Sequence, residues 1–161
     1  DSVEALTTGR DLARFDGSDL IMNSGFTKVA SLAATGDALI IMDGRVGAAL
    51  GDLALVAMEE GGFSSISQDI IFPWGEKKSK LREVRGKETR NPSSSRVIFP
   101  RLFGAKTDCT HARAMCVASR LVREVVAELT ASAPELNERQ FECALFMWGY
   151  DVRSRRAVRC P

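Results

Sequence analysis

Hydrophobic side chains recur at helical spacing through most of the chain. The most regular stretch runs from about Cys109 to Ala131, where apolar residues return every three or four positions and arginines occupy the other faces. The same spacing predicts further helices over Thr27–Ala34, Asp43–Met58 and Asn137–Gly149, and a weaker amphipathic helix within residues 2–14. No alternation of apolar and polar residues lasts beyond a few positions. A mostly α-helical fold is therefore predicted.

Capping residues fall at the ends of these patterns. Asp43 directly precedes a helical pattern and suits an N-cap, and Thr107 or Asp108 can cap the longest helix. Gly61 or Gly62 suits the position just after a helix, where a left-handed backbone is needed. All 161 residues are expected to form one helical domain, because a chain of this length can bury a single sizeable core.

Charge is distributed unevenly, although the net charge is only +1. Residues 1–75 carry 4 Lys and Arg against 11 Asp and Glu, whereas residues 76–106 carry 10 against 3. Within this basic block, residues 76–96 predict one long irregular loop. The block is typical of a solvated loop. It also fits a surface that binds phosphates, or one that packs against the acidic residues 1–75 of the same chain. The arginines after Val152 predict a frayed basic tail.

One lysine and one aspartate stand at predicted helix starts. Lys28 falls in the first turn of the helix predicted from Thr27, and it is the only lysine before position 77. The helix dipole disfavours an ammonium group there, which favours a neutral, nucleophilic amine. If the two helices pack together, Lys28 and Asp43 face one pocket. Taken alone, Lys28 also fits a surface lysine and Asp43 a simple helix cap.

Two short motifs around these residues are similar to motifs of a known family. Residues 22–28 read MNSGFTK, and residues 42–46 read MDGRV. They resemble the hairpin L-P-G-[VI]-G-x-K and the following motif [VI]-D-x-[HR]-[VM] of helix-hairpin-helix DNA glycosylases, in particular the OGG-like proteins of the oxoguanine glycosylase group. Only Gly25 of the hairpin glycines remains. Residues 136–152 resemble the closing helix of small OGG-like proteins.

The resemblance implies a helix-hairpin-helix DNA-glycosylase-like helical domain that acts in base-excision repair on double-stranded DNA, and it leaves lyase activity open. In such an enzyme the amine of Lys28 attacks the sugar of a flipped nucleotide. Asp43 stabilises the positive charge that builds on that sugar and helps to deprotonate the lysine.

DNA-contacting residues follow from the same resemblance and from the basic block. A helix start can receive a phosphate through its backbone N–H groups, and arginines can pair with phosphates directly. The predicted contacts are Ser24, Gly25, Phe26, Thr27, Arg45, Arg90, Arg96 and Arg101. Three further aromatic residues lie in apolar runs and predict core positions rather than base stacking, namely Trp74, Phe99 and Trp148.

No motif for a metal or an organic cofactor is present. The four cysteines and His111 lack the spacing of a zinc or iron–sulfur site, and Cys116 and Cys143 fall on apolar helical faces that predict buried thiols. The family's hairpin is often supported by a monovalent cation, so the resemblance leaves such an ion open. The cysteine usage fits a cytoplasmic protein, nucleoid-associated in a prokaryote. No membrane segment is visible, and no protein partner is inferable.

Two other functions fit the same pattern. One is a helical DNA-binding module that has lost its catalytic activity, and the other is a protein-interaction domain whose basic block meets an acidic partner. A serine or cysteine hydrolase is a poor fit, because there is one histidine and no G-x-S-x-G motif. The glycine motifs of Rossmann and P-loop enzymes are also missing.

Overall fold

The chain folds into two compact units, and each unit is assembled from two separate stretches of sequence. The first unit contains residues 1–42 and 104–144, and the second contains residues 43–103 and 145–161. The computed structural model describes residues 1–34, 39–76, 89–102 and 107–159, with side chains up to Arg155. Of the predicted loop, residues 77–88 lie outside the described residues.

Helices account for more than half of the described residues, and no β-strand occurs among them, which confirms the mostly α-helical prediction. The helices are α1 (Ser2–Thr8), α2 (Ser24–Ala33), α3 (Gly44–Glu60), α4 (Asp108–Leu129), α5 (Glu138–Trp148) and α6 (Val152–Arg159). Short 3₁₀ turns occur at Leu12–Arg14 and Gln68–Ile70. In the described part of the chain, no helix combines the length and the apolar character that crossing a membrane requires.

The core of the first unit forms around one face of α4. That face carries small and medium apolar side chains at helical spacing, which allows α1 to pack against it through Leu6. The α1 helix is short but well capped, because the carboxylate of Asp1 accepts the N–H groups of Val3 and Glu4. It ends at Gly9, whose φ of 68° is the left-handed conformation expected of a helix stop.

Side chains of neighbouring helices hold the apolar segment 39–42 in place. The backbone N–H of Ile40 donates to Ser119 Oγ at 3.1 Å, and the N–H of Ile41 donates to Glu142 Oε2 at 3.1 Å. The Met42 carbonyl lies 2.7 Å from His111 Nε2. Because buried backbone groups need partners, these bonds replace the ladder that a strand would supply. The segment leads directly to Asp43, the N-cap of α3.

The second unit has its own apolar core. Ala48, Leu55 and Met58 of α3 pack with Trp74, Phe99 and Val152, and all six side chains are buried. The predicted core positions of Trp74 and Phe99 are therefore confirmed, and Trp148 packs against the same cluster while half-buried. Trp74 is oriented by its Nε1–H, which donates to the Phe99 carbonyl at 3.1 Å.

The end of α3 follows the sequence prediction closely. The N–H of Phe63 donates to the Met58 carbonyl at 2.9 Å, and the N–H of Gly62 donates to the Glu59 carbonyl at 3.3 Å. Gly62 has a φ of 66°. This is the Schellman arrangement, in which a left-handed glycine satisfies the last carbonyls of a helix.

Two helix starts differ from the prediction. The α2 helix begins at Ser24 rather than Thr27, because the Asn23 side chain caps it three residues earlier. Thr107 occupies the N-cap position of α4, but its side chain makes no capping bond. Asp108 does not cap either; its Oδ2 accepts the Met22 N–H at 2.6 Å and so anchors the loop before α2.

The frayed tail predicted after Val152 is wrong, because residues 152–159 form α6. Asp151 starts this helix by accepting the backbone N–H and the hydroxyl of Ser154, at 3.0 and 2.8 Å. The N–H of Val152 donates to the Thr89 carbonyl at 3.0 Å, and its side chain is fully buried. A single buried apolar residue among arginines was too weak a periodic signal to predict a helix.

The cysteines separate into a shielded thiol and an exposed one. Cys116 donates to the Leu6 carbonyl at 3.0 Å, and burial raises the pKa of its thiol to about 11. Cys143 is exposed, so its predicted burial is wrong. Since the thiolate is the reactive form, iodoacetamide at pH 8 should alkylate Cys143 faster than Cys116 in the folded protein. Peptide mapping measures the order, and equal rates before unfolding would contradict this assignment.

Candidate functional site

Lys28 lies one turn deeper in its helix than the sequence suggested. Because α2 begins at Ser24, Lys28 is its fifth residue, and its side chain is exposed. The effect of a helix dipole falls off within the first turn, and Lys28 lies in the second turn rather than in the predicted first turn. Its accessibility does leave the amine open to a large substrate.

The start of α2 already uses its own N–H groups. Asn23 Oδ1 accepts the N–H of Gly25 at 2.8 Å and the N–H of Phe26 at 3.0 Å, and the Asn23 carbonyl accepts the N–H of Thr27 at 3.0 Å. Thr27 is also fully buried. A phosphate at this helix start would have to displace the cap, which leaves Ser24 and Gly25 as the accessible part of the predicted contact.

The carboxylate of Asp43 caps α3 with one of its two oxygens. Its Oδ1 accepts the backbone N–H groups of Arg45 and Val46, at 2.8 and 3.0 Å, which confirms the predicted N-cap. Its Oδ2 accepts no hydrogen bond from any residue that the structure describes. The residue is half-buried. Asp43 is therefore held in a fixed orientation by one oxygen and presents the other.

Two close backbone contacts fix the first turn of α3. The N–H of Gly75 donates to the Gly44 carbonyl at 3.0 Å, and a Cβ on Gly44 would lie only 2.4 Å from Gly75 Cα. At the end of α5, a Cβ on Gly149 would lie 1.9 Å from the Arg45 carbonyl oxygen. Glycine is needed at these contacts for close approach, which brings the aromatic end of α5 against the start of α3.

Arg45 lies over two aromatic rings. Its guanidinium carbon is 4.2 Å from the centroid of the Phe146 ring and 5.3 Å from that of Tyr150, both within cation–π distance. Its guanidinium donates no hydrogen bond and forms no ion pair within the described part of the chain. The side chain is half-buried, so its charge is held in place by ring faces rather than by a carboxylate.

Arg90 lies beside the same tyrosine and is 9% exposed. Its guanidinium carbon is 5.9 Å from the Tyr150 ring, and Nη1 donates to the Glu76 carbonyl at 3.5 Å. Its buried Nε has no hydrogen-bond partner among the described residues. Burial lowers the pKa of Arg90 and repulsion by Arg45 lowers it further, while Asp43 and Tyr150 oppose the change.

The remaining predicted phosphate contacts have different surroundings. Arg96 is exposed, whereas Arg101 pairs with Glu76 at 2.6 Å and lies over the Trp74 ring. The structure thus brings Asp43, Arg45 and Arg90 together, whereas Arg101 forms an ion pair with Glu76.

The sequence prediction missed Phe146 and Tyr150 as members of this group. Their spacing of four around Gly149 was the available signal.

The residues described do not form a recognisable metal centre. No group of three or more His, Cys, Asp or Glu side chains in the described ranges could hold a metal ion. At the predicted hairpin, the carbonyls of Asn23 and Ser24 accept the N–H and the hydroxyl of Thr27. Both carbonyls therefore already accept a hydrogen bond within the first turn of α2.

No protein-family model, curated protein or solved structure matches this chain. Its function is therefore inferred from its own residues and from their geometry.

Proposed function

We propose that this chain is a DNA glycosylase with a helix-hairpin-helix-like helical fold, which removes a damaged base from double-stranded DNA. Lys28 is the nucleophile and Asp43 is the carboxylate of the reaction. Lyase activity follows from the same covalent intermediate. Exposed Arg96 and the basic block of residues 76–106 contribute phosphate contacts along the DNA.

The main support for this proposal is that Asp43 caps α3 with only one of its two carboxylate oxygens. Two backbone N–H groups hold Oδ1 at 2.8 and 3.0 Å, while Oδ2 has no described partner. A carboxylate that stabilises a developing positive charge must be preorganised, and it must keep an oxygen available. A carboxylate that serves only as a cap does not need the accompanying arginines and aromatic rings.

The reaction requires one new bond at the sugar. The neutral amine of Lys28 bonds to C1′ of the flipped nucleotide while the bond from C1′ to the base breaks. The base leaves with the bonding electron pair and takes up the proton that the amine loses. Positive charge builds on the sugar before the new bond is complete, and the Asp43 carboxylate stabilises it. The bond between C1′ and O4′ of the sugar then breaks, and the proton that the nitrogen loses passes to O4′, which gives the imine (Schiff base) from which strand cleavage can follow.

A DNA-binding module without catalysis is the second candidate. It is favoured by the position of Lys28, which is exposed in the second turn of α2 without the dipole effect expected of it. The same arginines would bind DNA in both cases. The two candidates therefore differ in covalent chemistry rather than in affinity.

Borohydride trapping separates the two candidates. Sodium borohydride reduces an imine to a stable amine, so the wild-type protein should form a covalent adduct with a duplex that carries an abasic site or an oxidised purine. The Lys28→Arg variant keeps the charge but lacks the primary amine, so its adduct should be lost while DNA binding changes by less than about threefold. Gel electrophoresis measures the adduct, and fluorescence anisotropy measures the binding.

Arg113→Lys, which also exchanges an exposed basic residue while keeping its charge, is the matched control and should trap as the wild type does. Salt dependence is the second control, since phosphate contacts weaken steeply as salt increases. DNA binding without an adduct would rule out the glycosylase and leave the DNA-binding module without catalysis. An adduct that persists in Lys28→Arg would show that another residue is the nucleophile. A protein that does not bind DNA would overturn both candidates and favour an acidic protein partner.

A further inference from the structure

The second unit contains two arginines that lack the counter-charge expected of them. Arg90 is 9% exposed, and its Nε has no described hydrogen-bond partner. Arg45 donates no side-chain hydrogen bond to a described residue. Arg90 donates only from Nη1, to the Glu76 carbonyl at 3.5 Å. A buried guanidinium nitrogen without an acceptor is costly, because it has lost water and gained no hydrogen bond. Such a group is retained where a ligand completes it.

The two guanidinium groups converge on one aromatic ring. Their central carbons lie 5.3 Å and 5.9 Å from the centroid of Tyr150, and Phe146 supports Arg45 from a second side. Arg45 comes from the first turn of α3, whereas Arg90 lies within the basic block of residues 76–106. Repulsion between them lowers the pKa of Arg90 after the larger effect of its burial. An anion placed between them would remove this repulsion.

The charge of the cluster indicates which anion fits. Arg45 and Arg90 contribute two positive charges and Asp43 contributes one negative charge, so the net charge of the three side chains is +1. This charge matches the single negative charge of a phosphodiester. A phosphodiester also has two unesterified oxygens, so it can accept hydrogen bonds from two guanidinium groups that lie on different segments of the chain. A phosphate monoester at neutral pH would leave excess negative charge beside Asp43.

We propose that Arg45 and Arg90, together with the Tyr150 ring, form a binding site for one phosphodiester group of a DNA strand. The source of the phosphodiester rests on the proposed function, whereas the site itself rests on the geometry of the second unit. The phosphate completes the hydrogen bonds of the two guanidinium groups and lies beside the open oxygen of Asp43. It therefore positions the sugar next to that phosphate without taking part in bond breaking.

Tyr150 gives this site a selective probe, because it is the only tyrosine in the chain. Protein labelled with 3-fluorotyrosine has a single fluorine resonance, which reports directly on the ring that both arginines approach. Dimethyl phosphate, a simple phosphodiester, should shift this resonance saturably at constant ionic strength. Duplex DNA should shift it as well. Arg90→Gln and Arg45→Gln should each weaken both effects by about tenfold or more.

Arg155→Gln is the matched control. Arg155 lies over an aromatic ring in the same unit, 4.7 Å from the Trp148 centroid, and this substitution should leave both titrations unchanged. Circular dichroism verifies that each variant is folded, and the two arginine variants test the site independently of each other.

The outcomes separate this site from the proposed function. A resonance that dimethyl phosphate does not move, in a protein that still binds DNA by anisotropy, would overturn the site and leave the glycosylase proposal standing. A resonance that dimethyl phosphate moves through both arginines, in a protein that does not bind DNA, would confirm the site and overturn DNA as the source of the phosphate. Unchanged titrations in both glutamine variants would also overturn the site.

Discussion

Replacing Asp43 with asparagine should reduce base excision by about 100-fold or more, while the stability of the protein stays nearly the same. Asparagine is as good an N-cap as aspartate, so its side-chain oxygen can still accept the N–H groups of Arg45 and Val46. It carries no negative charge, so it cannot stabilise a cationic sugar. Single-turnover excision on a duplex carrying the damaged base measures the first quantity, and thermal unfolding measures the second.

Asp151→Asn is the control for Asp43→Asn, since Asp151 also caps a helix in the second unit. It should leave both excision and stability nearly unchanged. Asp43→Ala should lose excision and also about 1 kcal/mol of stability, because alanine cannot cap. If Asp43→Asn excised the base at the wild-type rate, Asp43 would be a cap only, and the chemical role proposed for it would be wrong.

Replacing Gly149 with alanine should destabilise the protein by about 3 kcal/mol or more, which corresponds to roughly 6–12 °C in melting temperature. The new Cβ would lie 1.9 Å from the Arg45 carbonyl oxygen. Backbone atoms form this contact, so no side chain can rotate to relieve it, and the end of α5 must move away from α3. Thermal unfolding followed by circular dichroism measures the change.

Gly62→Ala distinguishes this steric clash from backbone strain. Gly62 has a φ of 66°, but a Cβ there would meet nothing within 4 Å. Its replacement should therefore cost only the left-handed backbone penalty of about 1–2 kcal/mol. Equal losses for the two variants would mean that the contact between Gly149 and Arg45 relaxes easily, so that it does not fix the position of Arg45 or its aromatic neighbours.

The ends of α3 were predictable because local chemistry determines them. Asp43 accepts the first N–H groups, and the two glycines after Glu60 close the last turn, so both signals lie within a few residues of the feature they cause. The start of α2 was misplaced for a related reason. Apolar spacing alone predicted a helix from Thr27, whereas the Asn23 side chain starts it at Ser24.

The arginine and aromatic cluster was only partly predictable. Arg45 and Arg90 were identified through their charge and their positions near a motif or in a basic block. Nothing in the sequence brings Arg90 to the ring of Tyr150, 60 residues later, because that contact depends on how distant segments pack. The same limit applies to segment 39–42, whose partners Ser119 and Glu142 lie far along the chain.

The interleaved construction of the two units has a consequence for synthesis on the ribosome. Val152 is fully buried in the second unit, where it packs with the apolar face of α3. Residues 43–103 leave the ribosome well before Val152, and residues 1–42 leave well before the stretch that completes the first unit. Neither unit can close its core early in translation. The growing chain therefore exposes the apolar face of α3 until Val152 has been made, which is the period when chaperones would bind it.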